Sequence, residues 1–85
     1  MKRVYKYPII VDEYFSLELP IGAKILTVDA QDNCPYLWVL VNPENISETR
    51  RFRFAGTGHN IIEDGDYIGT VQIRGFVWHI FEIAP

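Results

Sequence analysis

The sequence predicts an all-β fold: a small antiparallel β-sandwich or barrel of about six to seven strands, forming one domain over residues 1–85. Three observations predict it. Turn-forming residues recur at short intervals, at Pro8, Pro20-Ile21-Gly22, Asp32-Asn33-Cys34-Pro35, Asn42-Pro43, Gly56-Thr57-Gly58, Asp64-Gly65-Asp66 and Arg74-Gly75. The runs between them are rich in Val, Ile, Tyr, Phe and Trp, which suit a pleated, half-buried surface. Only Pro43 to Glu48 leaves room for a helical turn.

These signals place strands near 3–10, 15–19, 24–31, 36–42, 49–56, 66–74 and 76–83. In the first, Tyr5 and Tyr7 fall on one face. The third and fourth, KILTVDAQ and YLWVLVN, flank Asp32-Asn33-Cys34-Pro35. Asn and Asp tolerate positive φ and bond their own backbone, so this is a bend. In the fifth, Phe52 and Phe54 share the core face, which leaves Arg51 and Arg53 toward solvent, a groove or a partner. Asp64-Gly65 turns the chain into the sixth strand, and Arg74-Gly75 joins the last two so tightly that they pair antiparallel. YLWVLV and FVWHIFEI are apolar on both faces, and a strand of that kind is covered on both faces. Trp38 and Trp78 read as core, and His79 as a satisfied histidine among apolar neighbours.

Size and composition bound the function. A chain of 85 residues buries only about 60–65% of the surface it exposes when unfolded, and such small domains need disulfides, a metal or partner chains. One cysteine, Cys34, allows no internal disulfide and suits a reducing compartment. No Cys/His cluster offers a zinc site. Self-association, as dimer or tetramer, is the remaining source of stability. The net charge of -3 disfavours duplex nucleic acid as a partner. No run approaches a membrane span, and the N-terminus lacks the apolar core of a signal peptide, so the expected setting is the cytoplasm.

No catalytic constellation is evident. Cys34 and the serines Ser16 and Ser47 lack an adjacent base or nucleophile-elbow glycines. The acidic groups Asp12-Glu13 and Glu63-Asp64-Asp66 read as solvated surface, and the second lacks full calcium-loop spacing. The stretch RFRFAGTGHNI carries more information. Gly56 and Gly58 permit unusual backbone angles and close approach, and successive N–H groups at such a bend can cradle an anion. Thr57 adds a hydroxyl, His59 a ring, and Arg53 a bidentate phosphate donor. Two readings stand for this stretch: a plain turn, or a ligand loop. It lacks a Walker lysine. Tyr5, Tyr7 and Trp78 can stack bases, or belong to the core or an interface.

The blocks VYKYPI, LPIGAKIL, LWVLV, FAGTGH and IGTVQIRGFVWHIFE, in that order over nearly the whole chain, resemble a family of short phage and prophage proteins of unknown function. Their size and all-β design are similar to phage anti-CBASS sponge proteins. That resemblance implies a non-enzymatic protein, without cofactor, in the cytoplasm of an infected bacterium. It would bind a cyclic dinucleotide such as 3'3'-cGAMP and hold it uncleaved. Under that reading Gly56, Thr57, Gly58 and His59 lie near phosphate or ribose with Arg53 in support, and Tyr5, Tyr7 and Trp78 are stacking candidates. The competing readings are a protein-interaction module that inhibits a host defence protein, a minor phage structural or assembly protein, and an enzyme using His59 and His79.

Overall fold

Two hairpins built on matched turns organise the chain. A computed structural model describes residues 1–85. It contains β1 (Arg3–Pro8), β2 (Tyr14–Pro20), β3 (Lys24–Gln31), β4 (Cys34–Val41), β5 (Ser47–Gly56), β6 (Gly65–Ile73) and β7 (Phe76–Ile83). β3 and β4 are joined by Asp32 and Asn33, both at positive φ (52° and 61°). β6 and β7 are joined by Arg74 and Gly75, again both positive (50° and 83°). Two consecutive positive φ values make the turn whose twist matches the flanking strands, which is why Asp-Asn and a glycine occupy it. The two tips touch, with the Arg74 N–H donating to Asn33 Oδ1 at 3.3 Å.

The strands form two antiparallel sheets, ordered β1-β4-β3 and β2-β5-β7-β6. Each expected strand is present, with ends shifted by a few residues. Pro43 to Glu48 holds one hydrogen-bonded turn, the Asn45 N–H donating to the Asn42 carbonyl at 3.1 Å, and the start of β5, with no helix. No helix is long and apolar enough to cross a membrane.

Alternation sorts the side chains. On β4, Leu37, Val39 and Val41 are buried, and Tyr36, Trp38 and Leu40 lie half-buried on the opposite face. Trp38 is therefore an outward residue, not core. Lys6 covers it, its Nζ lying 4.6 Å from the Tyr36 ring centroid and 5.6 Å from that of Trp38. Trp78 packs against the core as expected. The core continues through stacked Phe15 and Phe52 (4.9 Å, 8° between planes) to Phe54 and Trp78, also 4.9 Å apart.

Arg50 pins the end of this core. Its Nε and Nη2 each donate to a Glu82 carboxylate oxygen at 2.6 Å, and its Nη1 donates to the Ala23 carbonyl. One guanidinium thus ties β5, β7 and the β2–β3 turn together, and the fork-to-fork geometry is the strong form of this pair.

The sheets approach most closely where β3 meets β6. A Cβ at Gly69 would lie 2.7 Å from Val28 Cγ1. Gly69→Ala should therefore lower stability by about 1–3 kcal/mol, the usual cost of overpacking a filled core. Val28→Ala in that background should recover part of the loss, as a calorimetric double-mutant cycle would show.

Candidate functional site

The GTGH bend is a tight turn. The His59 N–H donates to the Gly56 carbonyl at 3.1 Å, and Gly58 occupies the third position at φ +90°. That conformation admits glycine and resists other residues. Gly56 is needed for a different reason. A Cβ there would lie 3.0 Å from His59 Cε1, so the imidazole folds back onto bare backbone.

Three of the four N–H groups in the bend already have acceptors. The Gly56 N–H donates to His59 Nδ1 (3.1 Å), that of Thr57 to the Val77 carbonyl (3.4 Å), and that of His59 to the Gly56 carbonyl. An anion cradle of successive N–H groups is therefore not preformed. The Gly58 N–H is left over. His59 accepts at Nδ1, so its neutral ring carries hydrogen on Nε2, a second donor from the same turn. Its ring meets that of Trp78 edge-on at 6.3 Å.

Arg53 is the unexpected residue. Its place opposite Phe52 and Phe54 suggested solvent, a groove or a partner; it is 4% exposed and lines a groove. The β1–β2 connector and the segment after the GTGH turn close over it. Nη1 donates to the carbonyls of Glu13 (3.1 Å) and Phe54 (3.4 Å), and Nη2 donates to the Asn60 carbonyl (3.0 Å). The Tyr14 ring lies 5.1 Å from its guanidinium carbon. The Glu13 carboxylate approaches to 3.4 Å, but that side chain is 65% exposed. Arg53 Nε is buried with no hydrogen-bond partner. A buried unpaired donor normally costs about 1–3 kcal/mol.

Arg53, His59, Trp78 and Phe54 line a cleft of about 320 Å³, walled on the other side by Val11, Asp12 and Glu13. A second depression, of about 430 Å³, shares His59 and Trp78 and adds Gly56, Thr57, Gly75, Phe76 and Val77. The structure thus brings Arg53, Gly56, Thr57, His59 and Trp78 around two adjoining hollows. It does not bring Tyr5 and Tyr7 there. They sit on β1 in the other sheet, their rings 6.4 Å apart, and line neither hollow.

His79 belongs to a separate polar chain. Its Nε2 bonds Thr57 Oγ1 at 2.8 Å, its Nδ1 bonds Thr70 Oγ1 at 2.9 Å, and Thr70 continues to the Tyr67 hydroxyl. Both ring nitrogens are satisfied, as the sequence suggested, though by hydroxyls on a half-buried face rather than in the core. His59 and His79 share neither a hydrogen bond nor a cleft. No group of three or more His, Cys, Asp or Glu residues converges as a metal site.

Sequence reasoning missed Val11, Asp12, Glu13, Tyr14 and Asn60. Glu13 and Asn60 hold Arg53 through backbone carbonyls, which leave no trace in side-chain identity. Asp12 and Glu13 are exposed, as expected of solvated surface, but nothing local marks the approach of Glu13 to a residue 40 positions away.

A family model described as a domain of unknown function (DUF7352) matches residues 1–85, and the chain belongs to that family. No curated protein and no solved structure matches it.

The cover over Arg53 is latched by Tyr14, whose hydroxyl donates to Glu63 Oε2. That bond holds the Glu63 carboxyl below its ordinary 4.5 and pushes the Tyr14 phenol above 10.0. Glu63 binds its proton more readily unfolded, so its stabilisation is complete above 4.5 and lost as pH falls through the lowered value. Tyr14 has the opposite sense: its stabilisation is complete below 10.0 and lost as pH rises through the raised value. Thermal melts across pH should decline on both flanks, and Tyr14→Phe should flatten both.

Proposed function

We propose that this chain is a non-catalytic binding protein that sequesters a cyclic oligonucleotide, a cyclic dinucleotide such as 3'3'-cGAMP, as a phage immune-evasion factor in an infected bacterial cell. The observation that carries the reading is the orphaned Nε–H of Arg53, a buried cationic donor without an acceptor in a residue that lines a cleft beside Trp78 and His59. A ligand oxygen or ring nitrogen is what such a donor lacks. With both Nη groups held by backbone carbonyls, Arg53 has one free donor for a single acceptor on a base or a phosphate, and Trp78 offers a surface for the base.

The charges of the cleft divide the ligand. Asp12 and Glu13 on the Arg53 side repel phosphate but accept from exocyclic amines, so the base belongs there. Phosphate belongs on the other side of His59, where the ring Nε2–H is the available donor; Gly58 lines neither hollow. A volume of about 320 Å³ is at the lower end for a small-molecule site. It suits one nucleoside unit, and a two-base ligand then spans two subunits of a symmetric oligomer. No nucleophile or paired acid and base is needed for this task.

A protein-interaction module is the second reading, favoured by exposed apolar residues such as Ile10 and Val11. Calorimetry with a panel of cyclic di- and trinucleotides separates the two. Binding with intact ligand recovered after denaturation is the expected result. Arg53→Lys, His59→Ala and Trp78→Leu should each weaken it by about tenfold or more, equivalent to about 1.4 kcal/mol. No heat with any nucleotide would overturn the proposal in favour of a protein partner, and a new product would make the protein an enzyme.

A further inference from the structure

β1 and β2 are the two unclosed edges of the molecule. β3 and β6, the other edge strands of the two sheets, come together at Val28 and Gly69. β1 and β2 each pair with one neighbour only, and five of the six β1 residues are exposed. Unpaired strand edges are ready templates for another chain.

The charges on these edges are segregated. Residues 1–11 carry Lys2, Arg3 and Lys6 and no acid, whereas residues 9–23 carry Asp12, Glu13 and Glu18 and no base. Within the chain these groups scarcely meet. The ion pairs are Arg50–Glu82 and Arg53–Glu13, so Lys2, Arg3, Asp12 and Glu18 have none. The same segment is unusually apolar for a surface. Of the fourteen large hydrophobic residues left exposed, six lie between Met1 and Tyr14.

We infer that this edge is the self-association surface, with β1 of one copy docking along the β1–β2 connector and β2 of a second copy. Pairing β1 with its own copy would bring two basic edges together, and pairing β2 with its own copy would bring together two edges that carry Asp12, Glu13 and Glu18 and no base. Crossing the two matches basic to acidic edge, and a two-fold axis makes the match twice. Continuing a sheet across the edge satisfies the free backbone groups and covers Val4, Tyr5, Ile10 and Val11. The connector also walls the Arg53 cleft through Val11, Asp12 and Glu13, so the seam runs along one side of that cleft. The inference does not rest on the ligand reading, since association is measured on the protein alone.

The test uses two charge-reversed chains followed by analytical ultracentrifugation, with circular dichroism to establish that each is folded. Wild type should be dimeric or larger at roughly 100 μM, where even a weak interface of micromolar dissociation constant is filled. Lys2→Glu with Arg3→Glu makes both edges acidic, and Glu18→Lys removes the acid from β2. Each should weaken self-association by about tenfold or more, because like charges then oppose. An equimolar mixture should form the mixed dimer, since each edge again meets its opposite. A monomeric wild type, variants that associate as wild type does, or a mixture that stays dissociated would each overturn the inference. Calorimetry with cyclic nucleotides on the same samples reports separately on the ligand site.

Discussion

A buried guanidinium is the constraint around which the end of the molecule that carries the candidate site is arranged. Arg53 lies on the face of β5 opposite Phe52 and Phe54, where an arginine would ordinarily reach water. It is instead roofed by two distant pieces of chain that meet over it, and its Nη groups are satisfied by three backbone carbonyls. Burying a charge is tolerated only when hydrogen bonds and an opposite charge offset the lost hydration. Glu13 offsets part of it from an exposed position. The remaining Nε–H is buried without a partner, as is Glu63 Oε1 in the cover above it, and a buried polar atom left unpaired in a native fold calls for an explanation.

The GTGH turn takes its meaning from the same arrangement. Gly58 is required by the turn, and Gly56 by the close approach of the His59 ring. The turn consumes most of its own N–H groups. It places His59 against Trp78, between two hollows, and forms no backbone cradle. The stretch forms a tight turn, and its His59 lines both hollows.

The fold was far more legible than the site. Period-two alternation and turn residues act locally, so Asp32-Asn33 and Arg74-Gly75 located two hairpins correctly, but β4 is apolar on both faces and its pattern did not say that Leu37, Val39 and Val41 form the buried one. Trp38 was misread because a large aromatic was assigned to the interior, whereas the outer face with its Lys6 cover holds it. The near-complete burial of Arg53 was not legible, because it is produced by Glu13 and Asn60 through main-chain oxygens. Tyr5 and Tyr7 were grouped with the loop on chemistry alone, and strand order places them on another sheet. Sheet order is a long-range property, and no residue in β1 or β5 encodes it by itself.

The most direct test of this account is the NMR signal of the arginine Nε–H groups during titration with 3'3'-cGAMP. The account predicts that Arg53 Nε–H moves downfield and becomes protected from exchange as the nucleotide saturates, while Arg3 and Arg74 stay where they were. An Arg53 signal that remains unmoved while the nucleotide binds elsewhere, or that never responds to any cyclic nucleotide, would contradict the claim that this buried donor is waiting for a ligand.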